Sequence, residues 1–135
     1  MEEQKITAIT ELDRSNYKTK IYAGGHFIYA DEPEDMGGTD EGMPPAALLL
    51  ASLGSCTAIT IRMYADRKSI PLDSIKIHLA ISREDQLDEG KTINVKLEFT
   101  GKLSSEQINR LVEISEKCPI HKILSNPIRI ATVLT

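Results

Sequence analysis

Leu48-Leu49-Leu50-Ala51-Ser52-Leu53-Gly54-Ser55-Cys56-Thr57-Ala58 is the stretch that decides how this chain is organised. Pro44-Pro45 just before it pre-sets a helical start, and from there to about Arg67 the only breaker is Gly54. The spacing predicts one long helix, apolar nearly all round in its first half, with polar residues returning at Arg62, Asp66, Arg67 and Lys68. A helix without a polar face has to be enclosed, by sheet or by another subunit. The apolar run is too short, and too rich in Ser, Thr and Gly, to span a bilayer, so no membrane partner is expected.

On the N-terminal side, Ile6, Ala8, Thr10 and Leu12 share a face at period two, as do Tyr17, Thr19, Ile21 and Ala23. Gly24-Gly25 then supplies two positions tolerant of positive φ before His26-Phe27-Ile28-Tyr29-Ala30, which predicts a tight hairpin. Asp31 to Met43 is acidic and holds Pro33, Gly37, Gly38 and Gly42, the composition of a surface loop.

On the C-terminal side, Ile75, Ile77, Leu79 and Ile81 predict one strand and Ile93, Val95, Leu97 and Phe99 another, joined by the polar segment Glu84–Lys91. Ser104 with Gln107 three residues on is a capping-box pattern, and Ile108, Leu111, Val112 and Ser115 continue at helical spacing towards Cys118. Pro119 ends that helix and can begin a short new one over Ile120–Leu124. A last strand is expected at Ile128–Leu134. The order βββ-α-ββ-α-α-β is an α+β layout, and 135 residues with 41% apolar content fit a single domain over 1–135.

Charge excludes one class of partner. Sixteen basic and twenty acidic residues give a net charge of −4, and no cluster of Lys or Arg could follow a phosphate backbone, so nucleic acid is not expected. Met1-Glu2-Glu3-Gln4-Lys5 shows no secretory pattern, and a cytoplasmic, reducing location is expected. There, two cysteines point to catalysis, sensing or plain packing before a structural disulfide.

Each cysteine has more than one reading. Cys118 has the sequence of an N-cap with proline at the next position, and the free amides of the turn that follows would lower its pKa, with His121 three residues on as a nearby acceptor or charge. It can equally fill a core position. Cys118-x-x-His121 can also be half of a zinc site, but the other available ligands, Cys56 with His26 or His78, form no matching close pair. Cys56 taken alone reads as an inert buried thiol.

Ala30-Asp31-Glu32-Pro33, Gly37-Gly38-Thr39-Asp40, Pro45, the Leu48–Ala58 run, Arg62-Met63-Tyr64-Ala65 and Cys118-Pro119-Ile120-His121-Lys122-Ile123-Leu124 together resemble the OsmC/Ohr family, osmotically inducible protein C and organic hydroperoxide resistance protein. The resemblance implies an OsmC-like fold in an intertwined homodimer with the long helices enclosed. It also implies a cysteine-based peroxidase in which Cys56 attacks an organic hydroperoxide and Cys118 resolves the sulfenic acid to a disulfide. A dithiol or a lipoyl-protein would supply the electrons, and no metal or cofactor would be needed.

The chain departs from the family's peroxidase pattern at one point. In such members a glutamate follows the proline at the helix start and pairs with an early arginine that steadies the thiolate, whereas Ala46 and Ala47 follow Pro45 here. Arg14 is the only early arginine, His26 and the acids Asp31, Glu32 and Glu41 lie nearby in sequence, and Arg62 is on a different helical face from Cys56. The missing carboxylate keeps a second function open, a non-enzymatic OsmC-like redox-responsive or small-molecule-binding dimer.

Overall fold

The computed structural model describes residues 5–82 and 92–135. Its contacts divide the chain between Leu49 and Leu50 into two units. In the first, β1 (Ile9–Glu11), β2 (Thr19–Ala23) and β3 (His26–Ala30) form an antiparallel sheet in that order. Thr10 pairs with Ile21 and Ile21 with Ile28, which sets one apolar row across the sheet. Gly24 and Gly25, at φ 59° and 78°, make the tight turn that aligns Ala23 with His26. Both N-terminal strands are shorter than their sequence pattern, because pairing covers only Ile9–Glu11 and Thr19–Ala23.

The expected loop over Asp31–Met43 forms with most of its residues exposed, and the exception is at its start. A 3-10 turn over Glu34–Met36 folds it back, Ala30 bridges to Met43, and Asp31 at its start is buried, with 2% of its surface exposed. The carboxylate accepts from the backbone N–H groups of Tyr17 (3.1 Å), Glu32 (2.8 Å) and Glu41 (3.1 Å), and the Thr39 hydroxyl donates to it at 2.6 Å. The Thr39 hydroxyl, followed by the three amides, holds the Asp31 carboxyl well below the usual carboxylate range against the opposing effect of burial.

Helix α1 spans Pro45–Arg67, as the prolines and the apolar run predict. Its 23 residues give it the length and composition of a membrane span, longer than the apolar run suggested. In this chain it has one inward stripe instead, Leu53, Thr57, Ile61 and Ala65 at i,i+4 spacing, while Ile59 and Met63 stay exposed. Enclosure of this helix within one chain is therefore one-sided.

In the second unit, β4 (Leu72–Ala80) and β5 (Asn94–Gly101) pair antiparallel, with Ile75 opposite Phe99, Ile77 opposite Leu97 and Leu79 opposite Val95. The expected connection over Glu84–Lys91 lies outside the described residues, apart from the strand ends on either side. Helix α2 (Ser105–Ser115) begins with the expected capping box, Ser104 and Gln107 satisfying each other's backbone N–H. Its buried stripe is Leu111, Ile114 and Ser115, whereas Ile108 and Val112 are exposed. Ile61, Ala65, Leu72, Leu111 and Ile114 make the core, and each fully buried Leu or Ile contributes about 1.5–3 kcal/mol.

Helix α3 spans Pro119–Leu124. The expected strand at Ile128–Leu134 does not form: these residues lie outside every strand, with Ile128, Ile130, Val133 and Leu134 exposed. A strand needs an edge to pair with, and no described edge takes this segment.

Candidate functional site

The two cysteines, 62 positions apart, meet in the second unit. Cys56 is carried by α1 directly before Thr57, one position off the buried stripe, and it is half-buried. Cys118 follows α2 and caps α3, and it is completely buried. Pro119 makes this cap possible: its fixed φ suits the first helical position and it has no N–H to leave unpaired. Thr57, the residue that follows Cys56, places its hydroxyl 3.7 Å from Cys118 Sγ, so both cysteines belong to one corner of this unit.

The donors around the sulfurs come from two sources. From the first turn of α3, the His121 N–H donates to Cys118 Sγ at 3.2 Å, and the Ile120 N–H acts on both sulfurs. From α1, the Thr57 hydroxyl lies 3.7 Å from Cys118 Sγ and also donates to the Leu53 carbonyl at 2.8 Å, while the Thr60 hydroxyl acts on Cys56. Thr57 and Thr60 are site residues that sequence reasoning missed. The signal was present for Thr57, a hydroxyl on an otherwise apolar stripe, which in a dry setting must find a partner.

The two thiols differ in acidity. Burial pushes the Cys56 thiol above its ordinary value, and the neighbouring Cys118 adds to this, against the Ile120 N–H and Thr60 hydroxyl. Burial also pushes Cys118 up, but the His121 N–H, Cys56, the Thr57 hydroxyl and the Ile120 N–H outweigh it, so this thiol lies below its ordinary value.

None of the largest influences on either sulfur is a cation. Arg62 is occupied elsewhere, donating to the Leu72 carbonyl at 2.8 Å and to Asp66 at 3.1 Å. Arg110 holds the Tyr64 hydroxyl at 3.0 Å and Glu113 at 2.7 Å. The His121 imidazole lies 3.3 Å from the Ser125 hydroxyl, and His78 pairs with Glu98. Among the described residues no three His, Cys, Asp or Glu side chains gather where they could hold a metal ion.

A cleft of about 260 Å³ is lined by Leu53, Val95, Leu97 and Val112 together with Thr57, Ser115, Glu116 and His121, and neither sulfur borders it. A larger hollow of about 440 Å³ in the first unit is lined by Lys18, Lys20, Tyr29 and the acids Glu11, Asp13 and Glu41, and neither sulfur borders it.

A long cysteine-bearing helix, a second cysteine that caps a short helix, and two antiparallel sheets match a known pattern. The sequence profile of the OsmC-like protein family fits residues 38–133. The chain belongs to the OsmC-like family. It is 28% identical over 91 residues to a Mycoplasma pneumoniae protein named hydroperoxide reductase, and that match spans 64% of each chain, just under two thirds of the relative's length. The fold is that of a solved OsmC-like protein from Mycoplasma pneumoniae (TM-score 0.77, 22% identity, covering 92% of this chain and 89% of the other). It is also similar to a Legionella pneumophila structure described as an organic hydroperoxide resistance protein (TM-score 0.64, 21% identity, 92% and 91% covered).

Proposed function

We propose that this OsmC-like protein is a thiol-dependent peroxidase that reduces organic hydroperoxides through Cys56 and Cys118. The observation that carries the reading is that Cys118, closed to solvent, lies 3.7 Å from the hydroxyl of Thr57, the residue next to the half-buried Cys56. The Cys56 thiolate attacks the peroxide, an S–O bond forms as the O–O bond breaks, and the sulfur gives two electrons to release an alcohol and leave a sulfenic acid. Cys118 condenses with the sulfenic sulfur, expelling water and forming the disulfide. An external dithiol, such as a lipoyl-protein, exchanges with that disulfide and restores both thiols. The relative named hydroperoxide reductase supports a peroxide as the oxidant.

The proposal includes a homodimer in a cytoplasmic, reducing setting. Ile59 and Met63 on the uncovered side of α1, and the exposed Ile128–Leu134 tail with its strand-like sequence, both support a second copy as the missing cover. Sedimentation should give a two-chain mass.

The test of the chemistry is mass spectrometry of reduced protein after one equivalent of cumene hydroperoxide. Loss of two hydrogens (about 2 Da) with both thiols blocked to alkylation is expected. Catalytic turnover unchanged in Cys56→Ser would sink the reading. A second reading, a redox-responsive OsmC-like protein without efficient turnover, is favoured by the elevated Cys56 thiol with Ala46 and Ala47 after Pro45. Cys56 reacting with peroxide no faster than a free thiol would select it.

A further inference from the structure

Thr57 is the one polar side chain on the inward stripe of α1, with 2% of its surface exposed. Its hydroxyl lies 2.8 Å from the Leu53 carbonyl one turn back and 3.7 Å from Cys118 Sγ, a hydrogen-bonding distance for an atom as large as sulfur. The first contact alone would satisfy a helical threonine, since bonding back to the preceding turn is a common outlet for a buried hydroxyl. The second joins the helix that carries Cys56 to the sulfur of the other cysteine, which also accepts the His121 N–H of its own short helix at 3.2 Å. A hydroxyl has one hydrogen and two lone pairs, so it donates to only one of these partners at a time. With Cys118 as a thiol, that hydrogen goes to the Leu53 carbonyl and the S–H can point at the Thr57 oxygen. A thiolate has no hydrogen to give and accepts more strongly, so the hydroxyl turns about its Cβ–Oγ1 bond towards the sulfur. The Leu53 carbonyl keeps the Thr57 backbone N–H of the helix ladder and is not orphaned.

Resting on the reading of Cys118 as the resolving cysteine, we propose that Thr57 is a positioning residue for resolution, its hydroxyl swinging from the Leu53 carbonyl to Cys118 Sγ as that thiol gives its proton to solvent. The thiolate is then held by one donor from α3, the His121 N–H, and one from α1, so its aim is fixed relative to the helix that carries Cys56. From there Cys118 donates an electron pair to the Cys56 sulfenic sulfur. The S–S bond forms as the S–O bond breaks, and the departing hydroxide takes a proton from solvent to become water. The sulfur loses its charge on entering the disulfide, and the hydroxyl returns to Leu53.

The titratable and charged side chains on the elements that meet at Cys118 are Cys56 on α1, Glu116 and Lys117 after α2, and His121 and Lys122 in α3. Strand β5 brings Val95 and Leu97 to the cleft that Thr57 also lines, while its charged residues Lys96 and Glu98 alternate to the opposite face, where Glu98 pairs with His78. The His121 imidazole lies 3.3 Å from the Ser125 hydroxyl, so His121 serves the sulfur through its backbone. The aid from Thr57 is that of a buried neutral dipole, and moderate salt should leave it intact.

The test follows the two thiols in turn with dithiobis(nitrobenzoate), an aryl disulfide whose leaving thiolate is coloured. The more open Cys56 takes the reagent as a mixed disulfide and releases one arylthiolate, and Cys118 then displaces the second as its bond to Cys56 forms. Thr57→Val keeps the shape and removes the hydroxyl; it should leave the first release within about twofold and slow the second by about tenfold at neutral pH, the size of one lost hydrogen bond to a charged group. It should also raise the pH at which the second release is half-maximal by about one pH unit. Thr57→Ser should restore both rate and pH profile. An unchanged second release in Thr57→Val, a slowing with no change of pH profile, or a failure of Ser to restore it overturns the proposal. Should Thr57→Val not fold, wild-type protein decides: the NMR signal of the buried Thr57 hydroxyl proton should move as Cys118 titrates, and a signal indifferent to that titration overturns the proposal. Cumene hydroperoxide in place of the aryl disulfide separates the two readings. If wild-type protein closes its disulfide with the aryl reagent and ignores the peroxide, the peroxidase reading falls and Thr57 stands on the aryl rates; if the peroxide joins both thiols and Thr57→Val closes as fast as wild type, the peroxidase reading stands and this proposal falls.

Discussion

Asp31 and Cys118 are both buried acceptors on which backbone N–H groups converge, yet they end in opposite kinds of chemistry. Asp31 gathers three amides within 3.1 Å and a hydroxyl at 2.6 Å, all from its own loop or the strand entry next to it. It is a fixed anion whose work is to shape the segment 31–41. Cys118 gathers longer bonds, 3.2 and 3.7 Å, and one of its neighbours is another thiol. A sulfur accepts weakly and can change its bonding, so the same kind of cradle holds a carboxylate still and leaves a thiol able to react.

The contrast can be broken most directly at the sulfurs. Replacing Cys56 with Ser should abolish organic-hydroperoxide turnover, followed as alcohol formation in the presence of a dithiol; retained turnover would leave the thiol cradle with a static role like that of Asp31. Asp31→Asn should raise amide hydrogen exchange at Tyr17, Glu32 and Glu41 by about tenfold or more, since a neutral amide accepts less strongly and introduces N–H donors among donors. The pH dependence runs in a definite direction. A carboxyl whose folded value lies below its unfolded one contributes stability that is complete above about pH 4 and is lost as the pH falls through the folded value. Exchange protection of those amides should therefore persist at pH 4 and disappear only under stronger acid.

Smaller effects separate the scaffold from both cradles. Ser104→Ala removes one half of the capping box and should cost about 1 kcal/mol by urea denaturation, with Cys56 alkylation unaltered. Gly54→Ala is expected to be nearly neutral. The added Cβ would lie 2.8 Å from Leu79 Cδ1, a flexible side-chain tip, and the crowding is offset by the roughly 1 kcal/mol by which Ala exceeds Gly in a helix. A loss of more than about 2 kcal/mol would mean that Leu79 cannot turn aside.

Much of this was legible in the sequence because local chemistry decided it. Gly24-Gly25, Pro44-Pro45, Ser104 with Gln107, and Cys118-Pro119 each determine a turn or a helix end within a few residues, and each appears where expected. The paired rows of β4 and β5 follow directly from period-two alternation. What was not legible depended on partners distant in sequence. Asp31 sits in an acidic, glycine-rich stretch typical of an exposed loop, and only the convergence of Tyr17, Thr39 and Glu41 on it makes burial favourable. The tail from Ile128 to Leu134 alternates well enough for a strand but has no described edge to join. Helical spacing placed Ile108 and Val112 on the inner face, yet both are exposed because the core takes Leu111 and Ile114. The Cys56–Cys118 pairing came from resemblance, because nothing in the local spacing links positions 56 and 118.

The His121 N–H rests on Cys118 Sγ at 3.2 Å, and this makes α3 a gauge of oxidation state. Joining the sulfurs would turn the Cys118 thiol into a disulfide sulfur, a weak acceptor that is held by its new bond, so the first turn of a six-residue helix would lose part of the cap that anchors it. Faster exchange at Ile120 and His121 in oxidised protein would report the state of the pair from the backbone. The surface of α3 would then differ between the two forms, giving a reducing partner a shape by which to tell them apart.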